Sequence, residues 1–246
     1  MFGCHEITQS NVYELGVETA KILNESQSEL ASIKWTNGEA NIDTGYSNLA
    51  CDCCMKAWDR LKEKNPMYAN IYITCVIPDI NIIFHYSDGR KSEHKIELKS
   101  SKSKKMPGST IMKLDINQTL IYCLRPTNKS EPYKLKCSQY HSAMVDNTNI
   151  DLFQDRTPRP IINFDNMKDD SVFERKKPHY FWIEHYAKCA LNRIDTALSR
   201  RSWQDDMVKI MKKKIIEDYI RNTSQDQFRI DKISLQLENT TFTVEA

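Results

Sequence analysis

Glycine is scarce in this chain, with 6 residues in 246, and no Walker loop or Rossmann fingerprint occurs. That argues against enzymes that cradle a nucleotide's phosphates on Gly-rich backbone. No internal repeat is present, which excludes solenoids and propellers. No apolar run is long enough to span a bilayer as a helix, so no membrane partner is expected. Charge of one sign is missing too: 35 Lys and Arg stand against 33 Asp and Glu, for a net +2. No global basic field therefore advertises nucleic acid, although charges can still segregate onto separate faces. Zinc-type cysteine pairs are absent. Cys51, Cys53 and Cys54 form a C-x-C-C cluster and Cys4-His5 lies upstream, but no second pair matches them. The 8 cysteines read as reduced and packed.

What is present describes a globular protein with ample core: 40% apolar and 28% charged residues. Residues 10 to 33 carry Val12, Leu15, Ile22, Leu30 and Ile33 at helical spacing, with Ser10 as N-cap. A polar loop over 36–47 precedes a second helix from about Asn48 to Lys64, ended by Asn65-Pro66. Tyr68 to Ile77 is rich in β-branched and aromatic residues and predicts a strand. It runs into Pro78 without a turn signal, so a kink or an edge position is expected there.

The stretch that organises the chain is PDINIIFHYSDGRKSEHKIELKSS, from Pro78 to Ser101. It predicts two strands joined at Asp88-Gly89. Successive strand side chains face opposite ways. Ile80, Ile82, Phe84 and Tyr86 thus share one face, as do Ile96 and Leu98, while Asp79, Glu97 and Lys99 fall on the other faces. Register decides whether the carboxylates meet. A two-residue turn would pair Ser87 with Arg90 and set Asp79 opposite Leu98, on the wrong face. A three-residue turn with Gly89 left-handed would bring Asp79 opposite Glu97. Two carboxylates and a lysine so placed suit divalent-metal chemistry on a phosphoryl group. Hard oxygen ligands, from Asp79, Glu97 and the Leu98 carbonyl, would hold Mg²⁺, or Mn²⁺ in its place. Lys99 would act on the attacking water.

Pro78-Asp79 followed by Glu97-Leu98-Lys99 resembles the PD-(D/E)XK nuclease superfamily, which includes type II restriction endonucleases. The resemblance covers about the first half of the chain. It implies an α/β fold: a mixed central β-sheet flanked by helices, a restriction-endonuclease-like core, with a C-terminal helical addition. The division expected is a catalytic core over 1–145 and a helical and loop region over 146–246 that completes the core and contacts DNA or a second subunit. The resemblance also implies that a first-helix glutamate joins the site. Gly16-Val17-Glu18 suits Glu18, with Glu14 and Glu25 as rivals. The basic stretch after Lys99 supplies candidates for phosphate contact: Lys102, Lys104 and Lys105, with Ser109 and Lys113 beyond.

Gln118-x-x-x-Tyr122 resembles a RecB-type helical motif, yet Thr119 to Leu124 is a compact β-favouring run and is read as a core strand. Tyr133 to Tyr140 is a further strand candidate. A long polar, Pro-containing stretch follows, from Asp146 to Pro178, then helices over about His179–Leu198 and Trp203–Arg221 and a strand-like end at Phe228–Val244. The expected function is a Mg²⁺-dependent, site-specific endonuclease on double-stranded DNA, acting as a homodimer because a palindromic site matches twofold symmetry. A RecB-like or repair-type nuclease would share the same catalytic residues. A non-enzymatic nucleic-acid-binding module would need no metal. The N-terminal MFGCHEITQSN carries neither a charged leader nor an apolar signal core, so a cytoplasmic protein, of a bacterium or of a virus in its host cell, is expected.

Overall fold

The structure is a computed structural model that describes residues 6–35, 44–109, 114–128, 130–144, 153–154, 159–168, 172–177 and 210–218. The chain divides into one compact unit over Met1–His185 and another over Tyr186–Ala246. The first unit extends well past residue 145 because strands from 153–163 join its sheets. It is a mixed α/β unit built on a five-stranded sheet flanked by helices.

The first helical region breaks in two: α1, Gln9–Glu25, and α2, Gln27–Ser32, with the break at Ser26. Thr8, not Ser10, is the N-cap. Its side chain accepts from the Asn11 N–H while Asn11 bonds back to the Thr8 N–H, which satisfies two of the end donors at once. The Ser26 hydroxyl donates to the Ile22 carbonyl at 2.9 Å, the kind of local bond that competes with helix continuation. Helix α3, Thr44–Lys64, starts four residues earlier than Asn48.

The strands that follow are β1 (Ile71–Val76), β2 (Ile80–Tyr86) and β3 (Lys91–Ser101). After them come β4 (Lys105–Pro107), β5 (Thr119–Leu124) and β6 (Lys134–Gln139). A one-turn helix α4, Tyr140–Ala143, then leads to β7 (Phe153–Gln154) and β8 (Arg159–Asn163). The main sheet has the order β1-β2-β3-β5-β6, with β3 and β5 parallel and the other neighbours antiparallel. A small sheet has the order β4-β8-β7.

Alternation sorts the two faces of the main sheet. Ile80, Ile82, Phe84, Ile96, Ile121 and Cys137 are buried in one cluster with α1 and α3. Gly16 is required for that contact, because a Cβ there would lie 2.5 Å from Thr119 Cγ2 and 3.1 Å from Cys137 Sγ. Trp58 of α3 packs edge-on to Phe84, with ring centroids 5.2 Å apart. The opposite face carries Glu97, Lys99, Leu120 and Tyr122, and the small sheet leans on part of it. Tyr122 donates to the Ser103 carbonyl at 2.6 Å and meets the Phe164 ring edge-on.

Pro78 neither kinks a long strand nor opens one. It lies in a tight turn between antiparallel β1 and β2, with a cis Ile77–Pro78 bond. Asn81 closes the turn by donating to the Pro78 and Val76 carbonyls. In the second unit, residues 210–218 are helical, with Lys213 paired to Glu217 at 3.9 Å. The expected helix over 179–198 and the strand-like end over 228–244 lie outside the described residues. No helix among the described residues is long and apolar enough to cross a membrane.

Candidate functional site

The β2–β3 connection settles the register. His85 pairs with Lys91, and Tyr86 with Arg90 through the Tyr86 N–H and Arg90 carbonyl, leaving Ser87-Asp88-Gly89 as the loop. Gly89 takes φ +83, the left-handed conformation in which a side chain is strained, and its N–H returns to the Tyr86 carbonyl. Asp88 fixes the turn by accepting from the Arg90 N–H and Nε. Ile80 consequently pairs with Ile96, which sets Asp79 opposite Glu97 on the face away from α1 and α3.

Asp79 sits just before the ladder begins, with φ 59. Aspartate enters this region more readily than most residues with a side chain. The position has a purpose in the backbone. β2 supplies ladder bonds only from Ile80 onward, so the next inward N–H of β3, that of Leu98, needs another acceptor. Asp79 Oδ1 takes it at 3.0 Å. The Leu98 side chain itself is buried on the helix side.

Four charges then meet. Lys95 Nζ lies 2.8 Å from Asp79 Oδ2 and 2.8 Å from Glu97 Oε2. Lys99 Nζ lies 2.5 Å from Glu97 Oε1. The Ser109 hydroxyl donates to the same Oε1 at 2.6 Å, and the Ser109 N–H donates to the Tyr140 hydroxyl. Burial alone would raise the Glu97 pKa. The Lys99 charge, with hydrogen bonds from Lys95, Lys99 and Ser109, overcomes it and holds the carboxyl at about 2. Burial works against the Lys95 ammonium as well, but its bonds to Asp79 and Glu97 leave its pKa raised. Burial also pushes the Tyr140 phenol up to about 12, so it stays protonated.

Glu18 is not part of this cluster. It is buried at the α1–α3 seam, where Arg60 at 3.4 Å, Lys21 at 3.6 Å and Lys64 at 3.8 Å surround it. Its helix packs on the Ile96 face of β3, and Glu97 emerges from the other. Its rival Glu25 pairs with Arg60 at 3.3 Å. Among the phosphate-contact candidates, Lys102, Lys104 and Lys105 are exposed. Lys104 pairs with Asp165 at 3.0 Å, and Ser109 is turned inward to Glu97. Lys113 lies outside the described residues. Tyr122 falls on strand β5, so it does not form a helical motif with Gln118.

Two members escaped the sequence reading. Lys95 shares the strand face of Glu97 and Lys99 by simple alternation, and that was the available signal. Tyr140 reaches the site only through the folding of β6 and Gly108, for which no local pattern exists.

A divalent ion can be tested against these donors. Among the described residues no group of three or more His, Cys, Asp or Glu side chains is placed to hold a metal. Asp79 and Glu97 nevertheless converge on one point, marked by Lys95 Nζ, and both offer hard carboxylate oxygens. That matches the habit of Mg²⁺, which takes one or two carboxylates and completes its shell with water and phosphate oxygens. Thiols are no rivals: Cys51, Cys53 and Cys54 are buried in the helix-side core, and a hydrogen bond with Cys75 plus burial raises the Cys51 pKa. Comparison with protein-family models, curated proteins and solved structures finds no match to this chain.

Proposed function

We propose that this chain is a metal-dependent nuclease of PD-(D/E)XK type that hydrolyses DNA phosphodiester bonds, acting as a site-specific endonuclease on duplex DNA. The observation that carries the reading is the facing pair Asp79 and Glu97, both 2.8 Å from a single ammonium, with Lys99 on the second oxygen of Glu97. A one-residue slip in the β2–β3 register would have placed them on opposite faces.

Asp79 and Glu97 would hold Mg²⁺ or Mn²⁺, which would supply Lewis-acid polarisation of the phosphoryl group and a more acidic bound water. Glu97 is ready for this role because it stays ionised down to about pH 2. Lys99, positioned by Glu97, would orient the attacking water and offset charge on the phosphorane-like transition state. The Ser109 hydroxyl donates to Glu97 Oε1, and Tyr140 holds Ser109 by accepting from its N–H. The exposed Lys102 and Lys105 follow the site in the chain and would meet the DNA backbone. A palindromic target would require a homodimer.

One observation favours a second reading. Two lysines neutralise the two carboxylates, so the cluster is complete as an ion network and could serve a non-enzymatic binding module. Incubation with plasmid and Mg²⁺ separates the two. Discrete fragments that vanish on EDTA addition support the site-specific nuclease, and a smear would indicate a nonspecific one. DNA binding indifferent to EDTA, with no cutting in Mg²⁺ or Mn²⁺, selects the binding module.

A further inference from the structure

Lys95 has no role in the reaction just described, yet it occupies the centre of the site. Its Nζ touches the very oxygens a divalent ion needs, Asp79 Oδ2 and Glu97 Oε2. The Mg²⁺–oxygen distance is about 2.1 Å, shorter than these contacts, so carboxylates closing on the ion leave no space for the ammonium between them. Like charge also opposes sharing. The lysine is therefore either the permanent occupant or an occupant that leaves.

Exposure distinguishes the two lysines of the cluster. The Lys95 side chain is 41% exposed and the Lys99 side chain 20%. Lys99 bonds Oε1 of Glu97, which Ser109 shares, while Lys95 bonds Oε2. Lys95 also lines a recess of about 250 Å³ together with Gln9 and Val12 of α1 and with Glu93, Asp115 and Gln118. An ammonium moving off the carboxylates meets solvent, and Glu93, two residues earlier on the same strand face, offers a carboxylate.

Resting on the nuclease reading, we propose that Lys95 is a displaceable built-in cation. It holds the Asp79–Glu97 seat and keeps the carboxylates converged until a divalent ion takes its place, and the affinity for that ion is set by competition with this side chain. A competitor that fills the seat nine-tenths of the time weakens apparent affinity about tenfold.

Mn²⁺ binding to the full-length protein, read by electron paramagnetic resonance, tests this. Lys95→Met should bind Mn²⁺ about tenfold more tightly than the wild type. Glu97→Gln should lose the site, which identifies the ion being counted. In the wild type, reductive methylation followed by mass spectrometry should label Lys95 several-fold faster with Mn²⁺ present than without. Equal or weaker Mn²⁺ affinity in Lys95→Met overturns the inference while leaving the metal-dependent reading intact. Absence of Mn²⁺ binding in both proteins overturns both. Should Lys95→Met fail to fold, the wild-type labelling decides alone, and an unchanged Lys95 rate overturns the proposal.

Discussion

Replacing Glu97 by Gln should lower stability by an amount that depends on pH in a calculable way. The carboxylate is buried, with its side chain 6% exposed, so solvent screens its ion pairs little. Its pKa falls from 4.5 to about 2 on folding. A depressed folded-state pKa contributes stability that is fully present above the unfolded value and is lost as pH drops through the folded one. At about 1.4 kcal/mol per unit, the contribution is about 3 kcal/mol at neutral pH, about 1 kcal/mol near pH 3 and close to nothing at pH 2. Glutamine keeps the shape and one acceptor for Ser109, so little packing is lost. Urea unfolding of both proteins between pH 7 and pH 2.5 measures the difference. A gap that stays constant across this range would refute the argument, because it would mean that Glu97 contributes packing and not charge.

Four further outcomes can be checked. Asp79→Ala and Glu97→Ala should abolish plasmid cleavage while DNA retention in a gel-shift assay largely survives, since phosphate affinity resides in other lysines and arginines. Lys99→Ala should lose turnover by about a hundredfold or more with Mn²⁺ binding retained, which single-turnover kinetics and calorimetry would separate. Glu18→Gln should reduce stability by about 1 kcal/mol in urea titration and leave Mn²⁺ affinity unaltered, because its partners lie on α1 and α3. Gly108→Ala should cost about 1–3 kcal/mol in thermal unfolding, since its Cβ would collide with the Tyr140 hydroxyl and sit 2.9 Å from the Pro160 carbonyl.

The hairpin was legible because its parts constrain one another. The apolar alternation of Ile80, Ile82, Phe84 and Tyr86 fixes one face, and Ile96 with Leu98 fixes the matching face of the next strand. Only an odd loop lets both faces and Gly89 be satisfied, and the three-residue turn is what forms. The strand at Thr119–Leu124 was legible for a similar reason, as a short run of β-favouring residues buried on both faces. Pro78 misled because it falls in the turn itself. Val76-Ile77-Pro78-Asp79-Ile80 looks continuous, and the turn depends on Asn81 reaching back to two carbonyls, a side-chain role that composition does not announce.

Glu18 and Lys95 turn on the same physical question: which layer a side chain enters. The resemblance brings Glu18 to the site, but a helix flank does not say whether its carboxylate turns to the sheet or to the next helix. Arg60 and Lys64 answer that, and they sit on a helix whose packing partner the sequence does not name. Lys95 needed no such distant knowledge. On a strand, residues two apart share a face, so Lys95, Glu97 and Lys99 are bound to line up once the strand is granted. A search for a minimal Asp, Glu and Lys triad stops at three residues and passes over the fourth. The fourth changes the electrostatics, because it turns a triad with a net charge of −1 into a neutral cluster where a divalent ion must displace a resident cation.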